Sequence, residues 1–249
     1  MRHKSTLKRG KRFRRHTRKK SAYGGMPTRL SADALEWPPP PAPPVVDPRA
    51  ALLRAASRSA VAIDCEMVGV KPGDTSALAH VAIVDINGTQ IYNNYVIPPG
   101  GIESITQYRT NYSGITENLL RNSRMGAKSF EEVQAEVHAI LKDKIIVGHA
   151  LINDFKVLDY YPPPYLVWDT AIIDKYMREP KYPGAPRKAK KLQELAAGIG
   201  NNIQKIIINA NGKPLKQGHS PLEDARASMN LFRTYVGLGK IPYHNMAVP

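Results

Sequence analysis

Residues Val61 to Val68 form an apolar, β-branched run broken by two acidic residues two positions apart, Asp64 and Glu66. Alternate residues of a strand project from the same face, so both carboxylates leave the same side of the sheet that this run enters. Val61, Ile63 and Val68 are apolar, which marks the strand as an interior one rather than a solvated edge. Like charges brought together out of water drive one another's protonation unless cations compensate them, and hard divalent ions are well served by carboxylate oxygens. The chain must therefore build its sheet around a charged central strand and supply counter-charge at that point. Cys65, between the acids, is expected on the opposite face as a small buried apolar residue.

Two further stretches supply matching groups. An apolar strand, Lys144 to Gly148, is followed by Asp154 at the start of a helix that carries Phe155, Val157 and Leu158. A third stretch opens a helix with Ser220 as N-cap, Pro221 at the first helical position and Glu223 completing a capping box, with apolar residues at 222, 225, 229, 232 and 236. Its register puts Asp224 on the first turn and His219 just before the cap, so both can face one point while Leu222 and Met229 face the core. Taken singly, each residue has a plain structural role: a solvated strand face, a helix N-cap, a loop histidine, a complement to the helix dipole. Their conjunction in this order points instead to phosphodiester cleavage. Two hard cations about 3.5 to 4 Å apart stabilise the attacking and leaving oxygens of an in-line phosphoryl displacement, and four carboxylates balance their charge. On this reading Asp64 bridges both ions, Glu66, Asp154 and Asp224 complete the two sites, and His219, an imidazole of ordinary pKa near 6.5, acts as general base.

The motifs Asp64-Cys65-Glu66-Met67-Val68-Gly69, Tyr108-Arg109-Thr110, Ser113-Gly114-Ile115-Thr116, Trp168-Asp169-Thr170 and Gly218-His219-Ser220-Pro221-Leu222-Glu223-Asp224-Ala225-Arg226-Ala227 resemble those of the DEDDh exonuclease superfamily. The similarity is to the branch of the RNA exonuclease 4 and interferon-stimulated exonucleases, and it spans residues 58–237. It implies an RNase H-like fold, 3′→5′ exonuclease action on single-stranded RNA ends with release of nucleoside 5′-monophosphates, and two divalent cations, Mg²⁺ or Mn²⁺. It also implies Met67 and Arg109 as the residues that grip the terminal sugar, where contact with a 2′-hydroxyl favours RNA over DNA. A DNA-preferring exonuclease and a catalytically silent RNA-binding or ribosome-assembly factor are the alternatives, and a scaffold has no need of a neutralised carboxylate cluster. Two features depart from the family pattern: His80, where relatives carry a basic or small residue, and a long segment at 205–217.

The rest of the α/β fold follows from pattern. Leu78–Asp85 and Thr89–Val96 flank Asn87-Gly88, a strong hairpin signal, so the Asp64 strand begins an antiparallel meander of three. Ser129 caps a helix with Glu132 in capping-box position, and this crossover makes strand 144–148 parallel to the first. A fifth strand near Leu166–Trp168 and helices near 171–177, 192–199 and 221–236 complete a mixed five-stranded sheet flanked by helices. Asp169 is expected to be structural, and residues 206–215 to form an added hairpin.

Charge is distributed unevenly. Of the 36 Lys and Arg residues, twelve fall in residues 1–29 without a single Asp or Glu, leaving 24 basic against 21 acidic residues elsewhere. Residues 1–36 therefore read as a disordered basic tail that contacts nucleic acid or import machinery and serves as a nuclear or nucleolar address, with a cytoplasmic location as the alternative. Residues 37–57 read as a proline-rich linker, extended at about 3.1 Å per residue, residues 58–237 as the exonuclease domain, and residues 238–249 as a C-terminal tail. No apolar run approaches membrane-spanning length. The one cysteine excludes an intramolecular disulfide, and the chain is expected to act as a monomer.

Overall fold

The computed structural model describes residues 47–122, 126–204, 206–208, 214–216 and 218–241, with backbone alone for 206–208 and 214–216. The basic segment, the proline-rich stretch as far as residue 46, the Asn211-Gly212 pair and residues 242–249 lie outside the described residues.

The charged strand becomes β1 (Ala60–Val70) and sits in the interior of the sheet. It pairs antiparallel with β2 (Thr75–Asp85), which pairs antiparallel with β3 (Gln90–Ile97), giving the expected meander. The β2–β3 turn closes because the Asp85 carboxylate accepts the N–H groups of Asn87 and Thr89, at 2.8 and 2.9 Å, while Gly88 takes a φ of +77°. On its other side β1 pairs parallel with β6 (Ile145–Gly148), which pairs parallel with β7 (Val167–Asp169). Two short strands extend the five expected ones: β4 (Ile105–Gln107) pairs with β1, and β5 (Lys128–Ser129) pairs with β3.

Helices cover both faces. The crossover α4 (Phe130–Leu141) starts as expected, with the Ser129 hydroxyl accepting the Glu132 N–H at 3.3 Å. It packs Val133, Val137 and Leu141 with Phe155 and Leu158 of α5 (Ile152–Leu158) against Val61, Ile63 and Cys65. On the opposite face Ala60 and Ala62 meet Leu222, Ala225, Met229 and Phe232 of α7 (Pro221–Tyr235), together with Leu192 and Leu195 of α6 (Leu192–Gly198). Burying one such aliphatic side chain stabilises by about 1.5–3 kcal/mol. A strand buried on both faces has its register strongly fixed. With Ala60 and Ala62 facing α7, the period of two carries Asp64 and Glu66 to the same side.

Three expectations need correction. The helix expected at 171–177 is only a single 3-10 turn, Asp174–Tyr176. The backbone beyond it is committed elsewhere, since Met177 bridges Ala189 and the Arg178 N–H donates to the Lys188 carbonyl at 2.8 Å. The last part of the expected linker is helical: α1 (Pro48–Ala56) is capped by Asp47, whose carboxylate also accepts from the Tyr235 hydroxyl at 2.6 Å. Finally, the expected C-terminal tail begins with anchored residues, because Ile241 is buried and its N–H donates to Asn230 Oδ1 at 2.6 Å. The expected hairpin is present as β8 (Ile206–Ile208) and β9 (Pro214–Lys216).

One contact fixes the entry to α7. Two single-turn helices, α2 (Thr110–Ser113) and α3 (Glu117–Arg121), follow β4, and the α2 loop lies directly on residues 218–219. A Cβ on Gly218 would stand 2.0 Å from Gly114 N and 2.1 Å from Gly114 Cα, and the His219 N–H donates to the Tyr112 carbonyl at 2.7 Å. Gly218→Ala is therefore expected to force these segments apart and cost about 1–3 kcal/mol in a urea melt, as overpacking does. An unchanged midpoint would show that the two backbones do not meet this closely.

Candidate active site

Asp64 and Glu66 reach the site from the middle of β1, and Asp154 and Asp224 from the first turns of α5 and α7. The pairing of β1 with β2 shifts register between Glu66 and Met67, a local irregularity of the kind that re-aims side chains beside functional sites. Asp224 comes from the first turn of α7, whose N-cap Ser220 accepts the Glu223 N–H at 3.4 Å. Asp154 lies on the first turn of α5 but does not cap it, since Leu151 holds the N-cap position. The N–H groups of Ala150 and Leu151 are instead taken by Asp169 at 2.8 and 2.9 Å, and that carboxylate also accepts the Ala171 N–H at 2.8 Å. Asp169 thus ties the β6–α5 loop to the end of β7, a structural role, and α5 needs no cap from Asp154.

The Asp154 carboxylate is directed at Cys65 of β1 instead. Cys65 does pack into the α4–α5 side of the core as expected, but its sulfur also meets the acidic cluster. Burial, then the charges of Asp154 and Asp64, push its ionisation up, so it remains a thiol and a poor nucleophile.

The groups converge. Glu66, His219 and Asp224 each offer a ligand atom within 4.8 Å of the others, and His219 Nδ1 lies 3.6 Å from Asp224 Oδ2. Glu66, Asp154 and Asp224 are buried, and Asp64 is half-buried. Burial pushes Asp64 well above the usual carboxylate range, and the charges of Asp224, Asp154 and Glu66 add to this. Burial, then Asp224 and Asp154, push Glu66 up to about 9. Asp154 and Asp224 are raised too, again chiefly by burial. All four expected acids therefore feel one another. A cation among them reverses the penalty by favouring the ionised forms.

The residues fit a hard divalent ion. An all-carboxylate oxygen set with one imidazole beside it suits Mg²⁺ or Mn²⁺. Asp224 Oδ1 is buried without a hydrogen-bond partner, an expensive arrangement for a carboxylate oxygen that a bound cation relieves. Its other oxygen, Oδ2, accepts from Gln204 Nε2 at 2.8 Å. Gln204 was missed in the sequence, where it follows Asn201-Asn202-Ile203 with no periodicity or cap to mark it.

The two residues expected at the terminal sugar stand apart in the described contacts. Met67 is half-buried against the cluster that holds Cys65, Leu151 and Phe155. Arg109, at φ +53°, donates from Nη1 to Ser76 Oγ at 2.8 Å and from Nη2 to the Asp74 carbonyl at 2.9 Å, pinning the β1–β2 turn. His80, one of the departures from the family pattern, donates from Nε2 to Asn93 Oδ1 at 2.7 Å and stacks on Tyr95 at 4.1 Å. Burial pushes its pKa down to about 4, so it is neutral at pH 7. Together with Asn111, Gly114 and Pro221, these rings line a cleft of about 290 Å³ that opens beside His219.

Comparison with known proteins gives the family. The human interferon-stimulated 20 kDa exonuclease-like 2 is 38% identical over 177 residues, covering 71% of this chain and 45% of that protein. RNA exonuclease 4 of Gibberella zeae is 40% identical over 191 residues, covering 76% of this chain and 53% of the relative. The chain thus spans about half the length of the curated relatives it matches. Among solved structures, the pseudoubiquitin hydrolase-RNA exonuclease module of Saccharomyces cerevisiae Pan2 in complex with A7 RNA superposes with a TM-score of 0.57 at 26% identity, over 72% of this chain and 29% of that one. The fold is that of the RNase H-like exonucleases. The profile of the RNase T exonuclease family matches residues 61–232, and the chain belongs to that family.

Proposed function

We propose that this chain is a divalent-metal-dependent 3′→5′ exonuclease that hydrolyses RNA from single-stranded ends and releases nucleoside 5′-monophosphates. The observation that carries the reading is the cluster of Glu66, Asp224 and His219, with the charges of Asp64 and Asp154 acting on the same acids. Asp64, Glu66, Asp154 and Asp224 would hold two ions, Mg²⁺ or Mn²⁺. When bound, such ions polarise the scissile phosphate and lower the pKa of a coordinated water.

The protein's own groups do the rest. His219, fixed through its backbone N–H and with Nδ1 turned toward Asp224, takes the proton of the attacking water at Nε2. Asp224, 3.6 Å away, stabilises the charge the imidazole gains. Met67 and Arg109 contact the last sugar, Arg109 by exchanging its bonds to Ser76 and Asp74 for the substrate. RNA as substrate is supported by the names of the relatives and by the RNA bound to the Pan2 module. The basic residues 1–29 would add sequence-independent affinity for phosphates and direct the chain to the nucleus or nucleolus.

A labelled-strand assay tests this. With 5′-labelled single-stranded RNA, Mg²⁺ or Mn²⁺ should give a ladder that shortens from the 3′ end and disappears in EDTA and in Asp64→Ala. His219→Ala should slow turnover by about 10²- to 10⁴-fold while Mn²⁺ binding persists. A ladder in EDTA, or wild-type turnover in His219→Ala, would sink the mechanism. Faster shortening of a matched DNA strand would move the substrate to DNA.

The raised pKa values give a second test that needs no substrate. Carboxylates whose folded pKa is raised favour folding below their unfolded value, and that contribution is lost as pH rises through the folded one. For Glu66 this window runs from 4.5 to about 9. In EDTA the melting temperature should therefore fall across this window, and the gain in Tm on adding Mn²⁺ should grow from about pH 6 to about pH 8. A gain that is flat or shrinks with pH would contradict a carboxylate-held ion.

A further inference from the structure

Gln204 stands just ahead of β8 with a φ of +53°, a left-handed backbone that residues other than glycine hold only where their surroundings impose it. Here three bonds impose it. Its backbone N–H donates to Glu223 Oε2 at 3.0 Å, its carbonyl accepts from Gln193 Nε2 at 3.2 Å, and its side-chain Nε2 donates to Asp224 Oδ2 at 2.8 Å. Two successive acids on the first turn of α7 thus grip one residue, the first by its backbone and the second by its side chain. Asp224 is divided as a result: Oδ2 receives the Gln204 amide, and the buried Oδ1 has no hydrogen-bond partner.

We infer that Gln204 is a positioning residue for metal binding, its amide holding Asp224 by Oδ2 so that Oδ1 is presented to the cation. The inference rests on the two-metal reading above and assigns Gln204 a part in it. His219 does not do this job in the structure, because its Nδ1 is 3.6 Å from the same oxygen, beyond an ordinary hydrogen bond. An amide is suited to the task because it donates without adding positive charge, which would repel the ion it helps to seat. Carboxylate ligands are themselves hydrogen-bonded, and loss of such a partner typically weakens metal affinity by about 10- to 100-fold. The left-handed backbone is then the conformation that carries the amide across to α7. It also ties the β8–β9 hairpin to the metal site, since β8 begins two residues later.

The test is calorimetric titration of the full chain with Mn²⁺, using Gln204→Asn and Gln204→Met. Asn accepts a left-handed backbone readily, so it keeps the turn while its shorter side chain withdraws the amide. Met keeps the length but has no donor. Each should bind Mn²⁺ about 10-fold or more weakly, while the Asn variant melts in EDTA at or above the wild-type temperature. If Gln204 serves only the turn, the Asn variant will bind Mn²⁺ within about twofold of wild type, and the inference fails. In an Asp224→Asn background, Gln204→Asn should leave the residual Mn²⁺ affinity unchanged. A further tenfold loss there would show that Gln204 does not act through Asp224, which also overturns the inference. A wild-type chain that binds no Mn²⁺ would overturn the two-metal reading itself, and this inference with it.

Discussion

Four carboxylates forced together in a poorly hydrated place are the tension around which this domain is organised. Asp64 and Glu66 lie two apart on a strand buried on both faces, so neither can turn away without breaking the register of the sheet. Asp224 and Asp154 are then brought in by helices from opposite sides of that strand. Burial and mutual repulsion favour the protonated acids, and in the proposed reaction cations would convert the same crowding into affinity. The cost in stability is the counterpart of the binding site, a trade seen wherever like charges are preorganised.

Holding the cluster in place falls to residues that never meet a substrate in the proposed reaction. Asp169 fastens the loop that carries Asp154, accepting three backbone N–H groups. The Gly114–Gly218 contact and the bond from His219 N–H to Tyr112 set the histidine from behind. Gln204 donates to Asp224 Oδ2, and Cys65 lies against Asp154. Each of these supports pairs a residue near the site with a segment distant in sequence, so precision at the centre is shared among β1, β7, α2 and the approach to α7.

How much of this was legible in the sequence depended on whether a residue left a local mark. Asp64 and Glu66 were placed by strand periodicity, and Asp224 and His219 by the Ser220–Pro221–Glu223 helix start. The three-strand meander followed from Asn87-Gly88 and the crossover from Ser129 and Glu132. The failures have a common cause in tertiary bonding. Residues 171–177 carry enough helix-forming character to suggest a helix, but their surroundings commit the neighbouring backbone to the Met177–Ala189 bridge and to Asp169. Gln204 and the thiol of Cys65 act across separations that no window of sequence spans. Residues 47–56 and Ile241 fold onto the domain through the bonds of Asp47 to Tyr235 and of Ile241 to Asn230, although composition alone places them in linker and tail. Met67 and Arg109 came from family resemblance, and the described contacts give both of them structural partners.

The most direct measurement of the central claim is anomalous scattering from crystals of the chain grown with Mn²⁺. Two manganese peaks about 3.5 to 4 Å apart, enclosed by Asp64, Glu66, Asp154 and Asp224 with Asp64 between them, are the expected result. Saturating Mn²⁺ that leaves these carboxylates without a peak, or that settles only at other surface acids, would contradict it.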